Sequence, residues 1–177
     1  MFKLPIIFLG EFKMIKELTL VGMLMGVTEA EVSCLAMNMY HEARNQSFAG
    51  QLAVANVTMN RVNDERFPDT ICEVVKQGPT RPSWKDKTKQ IPIRNRCQFS
   101  WFCDGKVDEP YEVMDYENIY NIAIDILDQN MPYLDITDGA THYHADYVQP
   151  SWAFSKVRTV EIEDHIFYRW EHGTTTD

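Results

Sequence analysis

Residues 28–44 read TEAEVSCLAMNMYHEAR, and their spacing decides what the chain is built from. Thr28 followed three residues later by Glu31 is a capping-box start for a helix. Val32, Leu35, Ala36, Met39, Tyr40 and Ala43 then recur at the i, i+3, i+4, i+7 spacing of one helical face. At about 100° per residue, Glu42 projects within roughly 20° of Leu35, on the flank of the apolar stripe and about 90° from its centre. His41 points to the opposite side. A carboxylate on such a flank is half removed from water, which raises its pKa and suits it to general-acid work.

The next segment, GQLAVANVTMNRV at residues 50–62, is a second helix. Leu52, Ala55, Met59 and Val62 mark one face, and Val54 and Val57 widen it, so this helix belongs at the centre of the core. Asn56 and Asn60 interrupt it and require partners, which the sequence offers as Glu42, a substrate or the local helix end. Further on, residues 64–112 read as loops around Pro68, Pro79, Pro82, Pro92 and Pro110, with one short helix near residues 70–77. Residues 115–130 return to helix, with Asp115 as its expected N-cap and a stop before Pro132. Residues 140–170 (THYHADYV, KVRTVEI, HIFYRW) are aromatic and β-branched, and read as short strands and turns. The expectation is one small, helix-dominated α+β domain with a short C-terminal β region.

Composition narrows the partners. In 177 residues, 45% are hydrophobic and 24% charged, which is ordinary globular usage. The net charge of −9 disfavours nucleic acid and anionic lipid, and leaves neutral or mixed-charge polymers such as glycans open. No run reaches the ~18 apolar residues of a membrane span. Two shorter apolar runs, residues 4–10 and 18–27, precede the main body. The second, behind Lys13 and Lys16, has the outline of an export signal or of a core-packing helix, so residues 1–30 stand apart as an N-terminal extension. Cys34, Cys72, Cys97 and Cys103 make an even count that fits an oxidising destination. Cys97 and Cys103 form a reasonable local bridge, but four cysteines allow three full pairings.

With these residues in view, the chain resembles the SleB-type cell wall hydrolases, the family of the spore cortex-lytic enzymes. Residues 34–44, CLAMNMYHEAR, are similar to the family's IY-x-EAR signature. The likeness continues through Gly50-Gln51-x-Ala53-Val54-Ala55, Asn60-Arg61-Val62, residues 67–75 with Gln77-Gly78, and Cys97-Gln98-Phe99-Ser100-Trp101-x-Cys103-Asp104-Gly105. It closes with Ala140-Thr141-His142-Tyr143, Pro150-x-Trp152 and His165-x-Phe167-Tyr168. It spans residues 33–169, so residues 31–177 are expected to be the catalytic domain.

The resemblance implies a lysozyme-like fold, peptidoglycan glycan strands as partner, action at the bacterial cell wall or periplasm, and no cofactor or metal. It implies cleavage of the β-1,4 bond between N-acetylmuramic acid and N-acetylglucosamine by lytic transglycosylation, with Glu42 as the acid and base. Gln98, Phe99, Ser100 and Trp101 are expected in one groove wall, with Trp101 stacking on a sugar. Thr141, His142 and Tyr143 are expected in the other, with Tyr143 or His142 near Glu42. Arg44 is expected to brace a helix end or pair with an acid, Asn60 to support the site, and Trp84, Trp152 and Trp170 to pack in the core or at the rim. A hydrolytic muramidase would need a second carboxylate, for which Glu73 and Asp104 are the candidates.

Three departures from the family pattern stand out. Asn45 follows Arg44 where glycine is usual, and asparagine tolerates a positive φ there. Glu163-Asp164 replaces Ile-Gly before His165, which puts that turn in question. No peptidoglycan-binding domain is recognisable, so affinity is expected from the catalytic domain or from a larger assembly such as a phage virion or lysis complex. Two competing readings are a metal site built on His41, His142, His144 and His165, and a non-catalytic peptidoglycan-binding virion protein. The first lacks the HExxH spacing, since Asn45 stands where the second histidine belongs.

Overall fold

The computed structural model describes residues 27–128 and 133–171. The apolar run at residues 4–10 and the export-like run at residues 18–27 fall, except for Val27, outside the described residues. The first element, α1 (Glu29–Ala43), begins where the capping box places it: Thr28 Oγ1 accepts from the Glu31 amide at 3.2 Å. Glu31 does not reach back to Thr28. Its Oε2 accepts from the amides of Ile71 and Cys72 at 2.7 and 3.3 Å and so caps α3 (Ile71–Val75), the short helix that Thr70 also caps through the amide of Glu73. A Cys34–Cys72 disulfide joins the same two helices, and Cys97–Cys103 closes a local loop.

Helix α2 (Phe48–Val62) has apolar residues around much of its circumference because it is covered on both sides. Ala55 faces Leu35, Ala36, Met39 and Tyr40 of α1, together with Ile71 and Val75. Ala53 and Val57 face Ala140 and Phe167. Helix α4 (Val113–Leu127) completes the helical core with Ile119, Ala123 and Leu127. It starts two residues before the expected Asp115 cap, and the N-cap is Glu112. The reason is tertiary: the hydroxyl of buried Tyr40 accepts from the amides of Tyr111 and Glu112 at 3.2 and 3.1 Å, doing the work of a capping side chain.

The C-terminal β region is an antiparallel sheet of β3 (His142–Ala145), β4 (Val157–Ile162) and β5 (His165–Arg169), in the order β3-β5-β4. In the β4–β5 turn the left-handed residue is Glu163, at φ 50°, whereas Asp164, at the glycine position, is not among the positive-φ residues and does not need glycine's freedom. The Glu163 carboxylate accepts from the Ser47 amide at 3.1 Å, tying the turn to the start of α2. Asn45 is not among the positive-φ residues, so the turn after Arg44 never needed glycine's freedom. The loop-rich middle holds structure that its prolines conceal: an antiparallel pair, β1 (Thr80–Pro82) and β2 (Gln90–Pro92), and a 3-10 turn at Ser100–Cys103. Among the described residues no helix is long and apolar enough to cross a membrane.

Candidate active site

Glu42 lies in the last turn of α1, at the mouth of a cleft of about 220 Å³. One wall is the end of that helix and the following turn, residues 41–46. The other is Ala145, Tyr147, Asp164 and His165, from the ends of β3 and the β4–β5 turn. A larger open depression of about 380 Å³ on α4, beside Tyr116 and Tyr120, holds no comparable arrangement of acid and donor.

The position of Glu42 follows from two elements. Strand β3 pairs Tyr143 with Phe167, which turns the Tyr143 ring toward the helices, and its hydroxyl donates to Glu42 Oε2 at 2.9 Å. Helix α2 carries Arg61 behind this pair, only 4% exposed, with Nε donating to the Thr141 carbonyl at 2.7 Å. Burial pushes the Glu42 carboxyl above its ordinary value, against the Tyr143 hydrogen bond and the Arg61 charge, which both pull it down. Tyr143 is raised well above the usual phenol range by its own burial and by the Glu42 charge, so it acts as a fixed donor and not as a base. Burial lowers Arg61 to about 10, which leaves it cationic at neutral pH. The result is a carboxylic acid tuned upward, held by one hydroxyl at one oxygen, with a buried cation to receive the charge when the proton leaves.

A direct expectation follows for Tyr143→Phe. Loss of the hydroxyl removes a hydrogen bond to the ionised carboxyl, so Glu42 becomes a weaker acid. A charge-assisted bond contributes about 1.5–3 kcal/mol, and part of it appears in the transition state, so kcat should fall by about tenfold or more. The alkaline limb of the kcat–pH profile should move to higher pH. An unmoved limb would show that Tyr143 does not tune Glu42.

The other residues singled out in the sequence divide sharply. Arg44 donates to Glu112 Oε2 at 3.1 Å and to the Tyr111 hydroxyl, fastening the end of α1 to the start of α4. Asn60 does not meet Glu42. Its amide donates to Asp135 Oδ2, Thr137 Oγ1 and the Ala140 carbonyl, and so fixes the loop leading into β3. Asn56 likewise binds the Leu134 carbonyl and the Ile136 amide. Phe99 is no groove wall: it is 2% exposed and lies under the Arg61 guanidinium at 5.0 Å. Thr141 is 3% exposed and serves the site through its carbonyl to Arg61.

Gln98 and Ser100 are exposed but do not line the Glu42 cleft. Trp101 is already engaged. His41 stacks on its ring at 4.4 Å, and its indole N–H donates to Asn38 Oδ1 at 3.0 Å. His41, expected to face away from the packed side, is therefore covered, with Nε2 at 2.8 Å from the Asp108 carbonyl. His142 faces away from Glu42, between Trp152 and Trp170, and burial with nearby cations lowers it to about 3. His144 meets the Tyr168 hydroxyl, and among the described residues no three His, Cys, Asp or Glu side chains gather as a metal site. Trp170 lies between Arg66 and Lys156, Trp152 packs on His142 and His144, and Trp84 is exposed. Two cleft residues, Tyr147 and Asp164, lie outside the set of site residues that the motifs point to.

The described residues form a small α+β domain with a buried acid beside an open cleft, and residues 45–168 match the family described as Cell Wall Hydrolase. The chain belongs to that family. The matched span begins just after Glu42. The spore cortex-lytic enzyme of Halalkalibacterium halodurans is 28% identical over 143 residues, covering 80% of this chain and 36% of that protein. That of Oceanobacillus iheyensis is 40% identical over 50 residues, 28% of this chain and 18% of the relative. The chain thus spans about a third or less of the full length of the curated relatives it matches. In fold it is similar to the catalytic domain of the Bacillus cereus SleB protein, with TM-score 0.56, 24% identity and coverage of 80% and 91% of the two chains. It is equally similar to the catalytic domain of the germination-specific lytic transglycosylase SleB from Bacillus anthracis, with TM-score 0.57, 24% identity and coverage of 81% and 98%.

Proposed function

We propose that this protein cleaves the β-1,4 bond between N-acetylmuramic acid and N-acetylglucosamine in peptidoglycan, by lytic transglycosylation, with Glu42 as the single acid and base. The observation that carries the reading is the buried Glu42 carboxyl, raised in pKa and held at one oxygen by Tyr143 beside an open cleft. The protonated carboxyl gives its proton to the glycosidic oxygen as the bond to C1 breaks and an oxocarbenium-like centre forms. The muramic C6 hydroxyl attacks C1 and closes the 1,6-anhydro ring. Its proton returns to Glu42, which restores the acid. While Glu42 is ionised, the Tyr143 hydroxyl and the Arg61 charge steady it.

Neither sequence candidate for a second carboxylate supports a hydrolytic route. Glu73 is bound to Thr70 at the start of α3, and Asp104 pairs with Lys106. The place of action we propose is the bacterial cell wall, reached by export, by release during phage lysis or on a virion. The two disulfides favour a destination outside the reducing cytosol.

Mass spectrometry of purified peptidoglycan after digestion tests the reading. Fragments ending in 1,6-anhydro-muramic acid are the expected product. Reducing muramic ends would make water the acceptor and would turn attention to Asp164, the other carboxylate in the cleft. Intact peptidoglycan would sink the proposal.

A further inference from the structure

Among the described residues Tyr147 is the most exposed of the large apolar side chains, at 84%, and it lines the Glu42 cleft. It is not loosely held. The turn that presents it is closed by the Val148 amide donating to the Ala145 carbonyl at 3.0 Å. The Asp146 amide, its neighbour, donates to the Asp164 carbonyl at 2.9 Å, which ties this turn to the β4–β5 turn. The aromatic ring and the Asp164 carboxylate thus come from two turns bonded to each other, on the wall opposite Glu42. Among the described residues no aromatic ring stacks on Tyr147, and no cation lies over it. Trp101, the aromatic that the motif offers for a sugar, has a face taken by His41.

We propose that Tyr147 and Asp164 form a sugar-binding subsite across the cleft from Glu42. The ring of Tyr147 stacks on the C–H face of a pyranose, and Asp164 accepts from its hydroxyl or acetamido N–H groups. This rests on the reading of Glu42 as the acid of a glycan-cleaving enzyme. The ligand is a neutral β-1,4-linked N-acetylhexosamine strand. Asp164 lines the subsite, Asp146 and Glu163 flank its two residues in the chain, and Arg44, the cation of the cleft, is paired with Glu112. A stem peptide bearing free carboxylates would be repelled there, whereas a neutral pyranose would not. Recognition at this wall is therefore of the glycan and not of the peptide.

The probe is chitotetraose, a peptide-free β-1,4 tetramer of N-acetylglucosamine. Its affinity for the Glu42→Gln protein is measured by calorimetry, with Tyr147→Ala, Tyr147→Phe and Asp164→Asn added in turn. KM and kcat on soluble glycan strands are measured for the same substitutions in the active protein. Tyr147→Ala is expected to weaken chitotetraose binding about tenfold and to raise KM alike, with kcat within about twofold. Tyr147→Phe should retain most of the affinity, and Asp164→Asn should lose several-fold. The exposure of Tyr147 means that the alanine variant will fold. If Tyr147→Ala binds and turns over like its parent, the subsite is wrong although the proposed function stands. If the parent cleaves no peptidoglycan but its Glu42→Gln form binds chitotetraose through Tyr147, the function is wrong and the subsite stands.

Discussion

Replacing Glu42 by glutamine is expected to slow turnover by about a thousandfold and, in the same protein, to raise thermal stability at neutral pH. The first effect has the size of a lost general acid, about 10²- to 10⁴-fold. Glutamine keeps the shape and can still accept from Tyr143, but it has no proton to give to a glycosidic oxygen. The second effect follows from the direction of the pKa shift. Burial raises the folded-state value above the ordinary 4.5, so the folded protein binds this proton more tightly than the unfolded chain. Below the unfolded value both states are protonated and the group costs nothing. As pH rises above it, the unfolded chain ionises first and is favoured, until the folded value is passed and the cost becomes constant. Glutamine never incurs that cost. The gain in Tm over the parent should therefore be largest at neutral pH and shrink as pH falls through the carboxylate range. Melting curves and rates on the same two samples check both. A variant that is inactive and also less stable at neutral pH would indicate a structural role for Glu42 and remove the acid assignment.

How far the sequence reaches depends on whether a feature is local. Helix α1 was legible because its cap, its apolar stripe and Glu42 all lie within one periodic stretch. The start of α4 was misplaced because its cap is the hydroxyl of Tyr40, roughly seventy residues away in the chain. The β1–β2 pair was hidden because Pro82 and Pro92, which argue against a strand, sit at positions that a two-stranded edge tolerates. The groove walls show the same limit in chemistry. A motif names Phe99 and Thr141, but only the packing reveals that the first lies under Arg61 and the second offers Arg61 its carbonyl. The Tyr147–Asp164 wall could not be read at all, because the bond between the two turns that builds it crosses eighteen residues and depends on sheet register.

Removal of the Cys34–Cys72 bridge, as Cys34→Ser with Cys72→Ser, is expected to be the largest single loss of stability short of disrupting the core. The bridge spans 38 residues, and closing a loop of that length restricts the unfolded chain by about 4 kcal/mol. For a chain of this size that corresponds to a fall in Tm of roughly 8–16 °C. The folded state depends on the same connection: the bridge holds α3 against α1, where Ile71 and Val75 enter the core and Glu31 caps the short helix. A five-residue helix has little stability of its own, so its place is fixed by this staple, the cap and the packing. The 97–103 bridge should behave differently. It closes only six residues, worth about 2 kcal/mol, but its loop carries Phe99 beneath Arg61 and Trp101 beside His41. Its removal should therefore lower activity at temperatures where the protein is still folded, whereas the 34–72 double serine should keep kcat when cold and lose it on warming. Melting curves with and without reductant, beside the two double-serine variants, separate these effects. If reductant left Tm unchanged, neither bridge would contribute to the fold. If the 34–72 variant lost activity while fully folded, α3 would have to be coupled to Glu42 through α1, and the division between a stabilising and a site-shaping bridge would fail.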